Sequence, residues 1–276
     1  MQHRIWLMSL IVCLWTISTA ARGAELVERK TPSGTVVGYK DTPLLPSTEG
    51  KYHVHDPDRP LPKHVETNPA DTGDEPGKAP SDAIVLFDGR DLSRWKPSSW
   101  KVENGYAEVS QGHSLLETKE PFGDCQLHLE WMAPTTPAGH MMDRGNSGVL
   151  LMGLYEIQIF DSHPMHAEQI YPDGQAASIY GQTPPLVNAC RRPGQWQTFD
   201  IIFTAPVFQD EKLVKRATVT MLHNGVLVHE SQEIMGPMTH RRIIPYQPHA
   251  AKLPLTLQGH GSPVRFRNMW IRPLSQ

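Results

Sequence analysis

Short runs of alternating apolar and polar residues follow one another from Ser81 to the end of the chain, with almost no helical periodicity. Two of the joins between runs are Asn-Gly, in "ENGY" (103–106) and "HNGV" (223–226). Asn-Gly between alternating segments is the strongest short-range signal for a two-residue β-hairpin turn. About ten such runs, with connections too short for crossover helices, predict an all-β fold, an antiparallel β-sandwich or jelly roll.

Two segments of different character precede residues 81–276. Residues 1–24 carry Arg4, an apolar run too short to span a bilayer and then small residues, which is typical of a cleaved signal peptide. We therefore expect an exported protein, periplasmic or extracellular, without a membrane span. Residues 25–80 are rich in Pro, Gly and charge, so they predict an extended arm or linker. The alternative is an ordered strap lying across the domain that follows.

The composition argues against some partners. The formal charge of −3 and the absence of a Lys/Arg cluster with interleaved aromatic residues make nucleic acid an unexpected partner. Beyond the signal peptide the chain has two cysteines, Cys125 and Cys190. They predict either a single disulfide or two buried thiols, and the sequence does not choose between them.

The segment "YEIQIFDS" (155–162) is the strongest candidate for a functional strand. Side chains alternate across a strand, so Tyr155, Ile157 and Ile159 face one way while Glu156 and Gln158 face the other. The first face is predicted to be core and the second a site. A solvated polar face is the simpler alternative.

The same segment resembles the paired carboxylates of jelly-roll glycoside hydrolases without matching them. Asp161 reaches the face of Glu156 only if a bulge occurs near Phe160. Gln158 occupies the central position and cannot ionise. An ordinary two-carboxylate mechanism needs carboxyl groups about 5 to 5.5 Å apart with separated pKa values. A conventional glycoside hydrolase using Glu156 and Asp161 is therefore an alternative and not the leading hypothesis.

Residues 81–274 resemble the bacterial 3-keto-disaccharide hydrolase domain family. The resemblance is carried by "IVLFDGRDLSRW" (84–95), "RGNSGVLLMGLYEIQIFDS" (144–162) and "LQGHGSPVRFRNMWIRPL" (257–274). It implies a concanavalin-like jelly roll and the cleavage of glycosides already oxidised to a ketone at carbon 3. The chain departs from the family pattern in "DSHPMHAEQIYPDG" and "PTTPAGHMMD", so these two loops are expected to shape the substrate pocket.

The residue types suit this chemistry. A ketone at carbon 3 acidifies the proton on carbon 2, so elimination can break the glycosidic bond, and water then adds to the product. The route needs a base, donors for the enolate oxygen and an acid near the leaving oxygen. We expect Glu156 as the base, or as a ligand of a divalent metal ion, which is the only cofactor considered. Catalytic roles are also expected for Arg144, on the ketone or enolate oxygen, and for His260. Substrate-binding roles are expected for Asn146, Gln158, Gln258 and Asp161.

Other polar and aromatic residues carry weaker signals. His163 and His166 have the spacing of a short metal-binding pair, but His-x-x-His alone is weak evidence. Glu130 is expected on a solvated face, and most tryptophans are expected in the core. The chain has no G-x-G-x-x-G or P-loop motif, so a separate oxidoreductase must supply the oxidised glycoside. A non-catalytic carbohydrate-binding module is the alternative from a different functional class.

Overall fold

Strands form nearly all of the regular structure of this protein. The computed structural model describes residues 25–67, 76–136 and 140–274, and no α-helix occurs within these ranges. Short 3-10 turns lie at Pro46–Thr48, Met141–Asp143 and Pro172–Gly174. The prediction of an all-β fold built from antiparallel sheets is therefore confirmed.

One layer of the sandwich is a four-stranded antiparallel sheet. Its strands, in spatial order, are β10 (Tyr155–Ile159), β9 (Ser147–Leu151), β18 (Leu253–His260) and β7 (His113–Phe122). The β9–β10 ladder runs in register from Tyr155 opposite Leu151 to Ile159 opposite Ser147. This sheet contains the predicted functional strand.

The other layer is an eight-stranded antiparallel sheet. Its main path is β17 (Val226–Glu233), β16 (Thr218–His223), β13 (Gln197–Thr204), β8 (Cys125–Met132), β19 (Arg265–Pro273), β6 (Tyr106–Glu108) and β5 (Lys101–Glu103), with β4 (Ile84–Phe87) pairing along β19. A separate small hairpin joins β14 (Val207–Gln209) and β15 (Lys212–Lys215).

Both predicted Asn-Gly turns are hairpin turns. Asn104 and Gly105 join β5 to β6, and Asn224 and Gly225 join β16 to β17. All four residues have positive φ angles, between 47° and 80°. A type I′ turn requires φ above zero at both central positions, which Asn and Gly tolerate better than other residues.

The main core fills the space between the two sheets. Strand β10 contributes Tyr155, Ile157 and Ile159, each with no exposed surface. The eight-stranded sheet contributes large side chains such as Trp131 and Phe199. The alternation predicted for β10 is therefore present, since its apolar face lies in the core and Glu156 and Gln158 point to the opposite side.

The segment before the sandwich lies against it. In residues 25–67, β1 (Leu26–Thr31) pairs with β2 (Gly34–Tyr39), and β2 pairs in parallel with β11 (Glu168–Ile170). Further along, β3 (Lys63–His64) pairs in parallel with β12 (Val187–Asn188). Of the two alternatives for this segment, residues 25–67 take the form of the ordered strap. We call residues 25–67 the arm.

A second hydrophobic cluster joins the arm to the long loop after β10. Val37 of the arm packs with Phe160, Ile170, Tyr171 and Tyr180, and all five are buried. The four-stranded sheet is thereby covered on the side opposite the main core. This arrangement explains why every residue of β10 is buried, including Glu156 and Gln158.

Glu130 does not lie on a solvated face, so that expectation was wrong. Its carboxylate is 3% exposed and accepts hydrogen bonds from Arg267 Nε at 2.6 Å and Asn268 Nδ2 at 2.8 Å. Strand β19 supplies both donors from the neighbouring position in the eight-stranded sheet. Glu130 is thus part of a buried ion pair.

The two cysteines are separate buried thiols. Burial raises the pKa of Cys125 and of Cys190 to about 12, so both stay protonated at neutral pH. The predicted signal peptide, residues 1–24, lies outside the described residues. No helix within the described ranges has the length and apolar character needed to cross a membrane.

Candidate functional site

A cavity of about 370 Å³ lies beside β10, on the side of the four-stranded sheet that faces away from the main core. Its volume is within the range of small-molecule sites. Nine residues line it: Met142, Asn146, Glu156, Gln158, Tyr180, Met238, His240, Gln258 and His260. Five of the seven predicted site residues are among them, and Arg144 and Asp161 are not.

Glu156 is the acidic residue of this lining. Its side chain is 4% exposed, and no hydrogen bond or ion pair from any described residue reaches its carboxylate. Burial without a compensating partner raises the pKa of Glu156 from 4.5 to about 8. A carboxyl group tuned to this range is suited to accept or return a proton near neutral pH.

A glycine makes room for this carboxylate. Gly148 of β9 lies in register between Gln158 of β10 and Gln258 of β18. A Cβ atom at Gly148 would stand 2.2 Å from Glu156 Oε1, closer than atoms can approach. The absence of a side chain at this position therefore lets Glu156 lie across the sheet toward the cavity.

Amide and imidazole side chains surround Glu156 on the sheet. Gln158 donates from Nε2 to Asn146 Oδ1 at 3.0 Å, which fixes both amides at the cavity wall. His260, at the end of β18, packs edge-on against His113 with ring centroids 4.7 Å apart. Burial and the nearby His113 lower the pKa of His260, so its imidazole is neutral at pH 7.

The opposite wall comes from two loops and was not predicted. Tyr180 lies in the loop after β10, and Met238 and His240 follow β17. The Tyr180 hydroxyl lies 2.9 Å from His240 Nδ1 and 3.2 Å from the Tyr171 hydroxyl. Burial, together with the nearby His55, Arg241 and His260, lowers the pKa of His240 to about 4. His240 is therefore a neutral hydrogen-bonding group at this wall.

Arg144 lies next to the cavity residues in sequence but is held elsewhere. Arg144 is 5% exposed, and its side chain donates from Nη2 to the Glu168 carbonyl at 2.9 Å and lies over the Phe160 ring at 5.2 Å. Its Nη1 is 3.5 Å from Glu168 Oε1. Arg144 thus connects the β9 end of the sheet to the loop that covers it.

Asp161 is engaged with the two histidines that follow it. Its Oδ2 lies 2.7 Å from His166 Nε2, and its Oδ1 accepts the His163 backbone N–H at 3.3 Å. The β9–β10 ladder shows no register shift that would turn Asp161 toward Glu156. His163 Nδ1 accepts the Met165 backbone N–H, so His163 and His166 each make a local hydrogen bond. Among the described residues no group of three or more His, Cys, Asp or Glu side chains could hold a metal ion.

Two of the comparisons with known proteins found matches. The profile of the 3-keto-alpha-glucoside-1,2-lyase-like domain matches residues 82–272. A candidate glycosyl hydrolase from Parabacteroides distasonis is 42% identical, with a TM-score of 0.66 over 71% of this chain and 85% of its own. Another from the same organism is 22% identical, with a TM-score of 0.51 over 70% of this chain and 99% of its own, and shows the fold alone.

The comparison with curated proteins returned no match. The family profile nevertheless covers more than half of the chain, and its range begins just before β4 and ends within β19. All strands of both sandwich sheets start within it. The cavity residues lie within the same range. The chain therefore belongs to the 3-keto-alpha-glucoside-1,2-lyase-like domain family.

Proposed function

We propose that this protein cleaves 3-keto-glycosides by elimination across carbons 1 and 2, with Glu156 as the base. Family membership and the 42% identical relative support a carbohydrate-active function. The observation that supports elimination with Glu156 as the base is the state of its carboxyl group. This group is buried beside the cavity without a partner and has a pKa of about 8. Removing a proton next to a ketone calls for a base of this strength.

The elimination needs no reactant other than the substrate and the Glu156 carboxylate. The ionised Glu156 takes the proton from carbon 2, and the electron pair of that C–H bond enters the enolate of the ketone. The enolate then forms the C1=C2 double bond as the bond from carbon 1 to the leaving oxygen breaks. In net terms the proton of carbon 2 ends on the leaving oxygen, and water added across the double bond completes a hydrolysis.

The remaining polar groups of the lining bind the substrate in this scheme. The amides of Asn146 and Gln258 can donate to the ketone and hydroxyl oxygens. Gln158 donates both of its Nε2 hydrogens to Asn146 Oδ1 and the Ile159 carbonyl, so it holds Asn146 in place and offers the substrate only its amide oxygen. His260 is neutral at pH 7, so its N–H donates to the leaving oxygen without supplying a charge. Arg144 and Asp161 would act indirectly, by holding the loop that covers the sheet.

The setting of the enzyme follows from the same chemistry. The ketone at carbon 3 has to be introduced before elimination, and this requires an oxidation by a separate oxidoreductase. The amino-terminal pattern of residues 1–24 supports export, so oxidation and cleavage would meet in the periplasm or outside the cell. The glycosidic bond would then be cleaved in the same compartment in which the sugar is oxidised.

The test is an assay of the full chain with a methyl 3-keto-α-glucoside and with its unoxidised parent, each with and without EDTA. We expect release of methanol from the ketone only and a slower rate when carbon 2 carries deuterium. Turnover of the parent alone would overturn the proposal. Loss of the activity with EDTA would reassign Glu156 from base to metal ligand.

Binding without turnover would support the alternative, a carbohydrate-binding module. Glu156→Gln separates the two functions, because it preserves the shape of the side chain and removes its basicity. A binding module should bind the sugar equally well with either residue. An enzyme that uses Glu156 as its base should keep affinity for the substrate and lose turnover.

A further inference from the structure

The arm contacts the residues of the cavity wall through His55, beside Val37 and Tyr39. His55 and Asp173 have no exposed surface, and His55 Nδ1 lies 3.3 Å from Asp173 Oδ1. The His55 backbone N–H also donates to Asp173 Oδ2 at 3.0 Å. Asp173 lies in the loop after β10, whereas His55 lies outside the range matched by the family profile, residues 82–272.

His55 is held in a strained backbone conformation. Its φ angle is 62°, in the left-handed region that a residue with a Cβ seldom adopts. Its carbonyl accepts the Tyr39 N–H at 2.8 Å, so both of its backbone polar groups are bonded. Such strain persists only where the surroundings impose it, and it concentrates at functional sites.

The imidazole of His55 packs against the residues behind the cavity. It stacks on Tyr171 with ring centroids 3.9 Å apart, and its centroid is 5.0 Å from that of Tyr180 and 5.6 Å from that of His240. Its Nε2 is buried with no hydrogen-bond partner among the described residues. An unsatisfied buried polar atom such as this Nε2 costs roughly 1 to 3 kcal/mol, and an apolar ring at position 55 would avoid that cost.

The groups behind His55 lead directly to the cavity. The hydroxyls of Tyr171 and Tyr180 lie 3.2 Å apart, and the Tyr180 hydroxyl lies 2.9 Å from His240 Nδ1. Tyr180 and His240 line the cavity, and Tyr171 does not. Tyr171, which His55 covers, is therefore linked to both lining groups through the Tyr180 hydroxyl.

We propose that His55 is a positioning residue of this site, and that the arm completes the cavity wall by fixing Tyr171, Tyr180 and His240. Arg59, also in the arm, donates from Nη1 to the Gln182 carbonyl at 2.9 Å and holds the other end of the same loop. The effect on catalysis rests on the proposed elimination. The effect on His240 does not, because His55 lies against His240 and against the tyrosines that contact it.

The test variant is His55→Asn in the full chain. Asparagine tolerates a positive φ and can still donate to Asp173, so the arm stays docked while the ring on Tyr171 is lost. We expect kcat to fall about tenfold to a hundredfold, because a shift of about 1 Å in a positioning group can change rates by that amount. KM should change much less. In NMR titrations the pKa of His240 should rise from about 4 toward its ordinary value, because water enters and because the electrostatic effect of His55 on His240 is lost. Tyr180→Phe keeps His55 and therefore separates the two causes.

The matched control is His53→Asn, which changes the same residue type two positions away in the arm. His53 Nδ1 bonds the Thr42 carbonyl within the arm and makes no contact with the tyrosines. It should leave kcat and the His240 titration unchanged. Equal effects of the two substitutions would show that the arm acts only through its general stability and would overturn the proposal.

A second variant keeps the test decisive if His55→Asn does not fold. Tyr180→Phe retains the ring and removes only the hydroxyl between Tyr171 and His240. Wild-type kcat and an unchanged His240 titration in this variant would overturn the proposal. If the wild type does not cleave any 3-keto-glycoside, the elimination is wrong, and the His240 titrations still decide the role of the arm.

Discussion

Two glutamates, one on each sheet of the sandwich, are almost equally buried and behave in opposite ways. Glu156 on β10 is 4% exposed and Glu130 on β8 is 3% exposed. Burial raises the pKa of Glu156 to about 8. Burial acts on Glu130 in the same direction, but His128, Asn268 and Arg267 outweigh it and lower the pKa of Glu130.

The difference lies in the neighbours and not in the depth of burial. Strand β19 supplies Glu130 with a guanidinium and an amide, so the negative charge of its carboxylate is compensated and the group stays ionised. The strands beside Glu156 supply a glycine and amides, and a cavity adjoins the carboxyl group. A buried carboxyl group that is left uncompensated beside a cavity is the arrangement expected of a catalytic base.

The largest effect is expected for Glu156→Gln on turnover. If Glu156 is the base, kcat for the 3-keto-glycoside should fall about 10² to 10⁴-fold, the usual contribution of a general base. Steady-state kinetics of the full chain would measure it, with Glu130→Gln as the matched control at equal depth in the other sheet. A kcat within the error of wild type would remove the distinction between the two glutamates.

The same two variants should shift stability in opposite directions. Glu130→Gln takes the carboxylate from a buried ion pair and should destabilise the fold by about 3 kcal/mol. Glu156→Gln should stabilise it, because the folded pKa of about 8 lies above the reference value of 4.5. The free energy of unfolding of the wild type then falls as pH rises from 4.5 through 8, by up to about 1.4 kcal/mol per pH unit.

Urea denaturation of wild type and both variants at pH 5 and pH 8 would measure these shifts. The advantage of Glu156→Gln should be small at pH 5 and large at pH 8. The deficit of Glu130→Gln should be present at both, since the depressed pKa of Glu130 keeps it ionised. Destabilisation by both substitutions at pH 8 would contradict the comparison.

A smaller effect is expected for Gly148→Ala. The added Cβ would meet Glu156 Oε1 at 2.2 Å and push the carboxylate away from its place in the cavity. We expect kcat to fall about a hundredfold, as for other displacements of about 1 Å. Gly77→Ala is the control, because its Cβ would find its nearest atom at an ordinary distance of 3.7 Å. Equal kcat values for the two alanine variants would show that Gly148 makes no room for the base.

The last expected effect, and the smallest over a single pH unit, is the pH dependence of the wild type. Because the base must be ionised, kcat/KM should rise about tenfold per pH unit below pH 8 and level off above it. The ascending limb should disappear in Glu156→Gln, whose residual rate no longer depends on this carboxyl group. A limb centred near pH 4 to 5 would mean that Glu156 is solvated or paired during catalysis.

Strand periodicity predicted which side chains of β10 and β18 line the cavity. Glu156 and Gln158 follow from the alternation of β10, and Gln258 and His260 from the alternation of the strand that became β18. These are local properties, because successive side chains of a strand point to opposite faces whatever the rest of the chain does. The resemblance to the family added the expected fold and reaction.

The remaining parts of the site depend on contacts between distant segments. Tyr180 and His240 are 60 positions apart and lie in loops, where no period indicates direction. Glu130 alternates like a residue on a solvated face, and its burial follows from Arg267, 137 positions further on. Loops and cross-strand partners of this kind are determined by tertiary packing, which a single sequence does not display.

The parallel pairing of the arm with the loop after β10 has a consequence for the order of folding. His55 and Asp173 are separated by 118 positions, so the arm can dock only after most of the sandwich between them has folded. Contacts between such distant segments form slowly, since a long stretch of chain must first be closed into a loop. Until the arm docks, Tyr171 and Tyr180 lack the ring of His55 against them, so the wall of the cavity beside Glu156 is incomplete. Completion of this wall would then be the last event of folding, and its time course could be followed separately from formation of the strands.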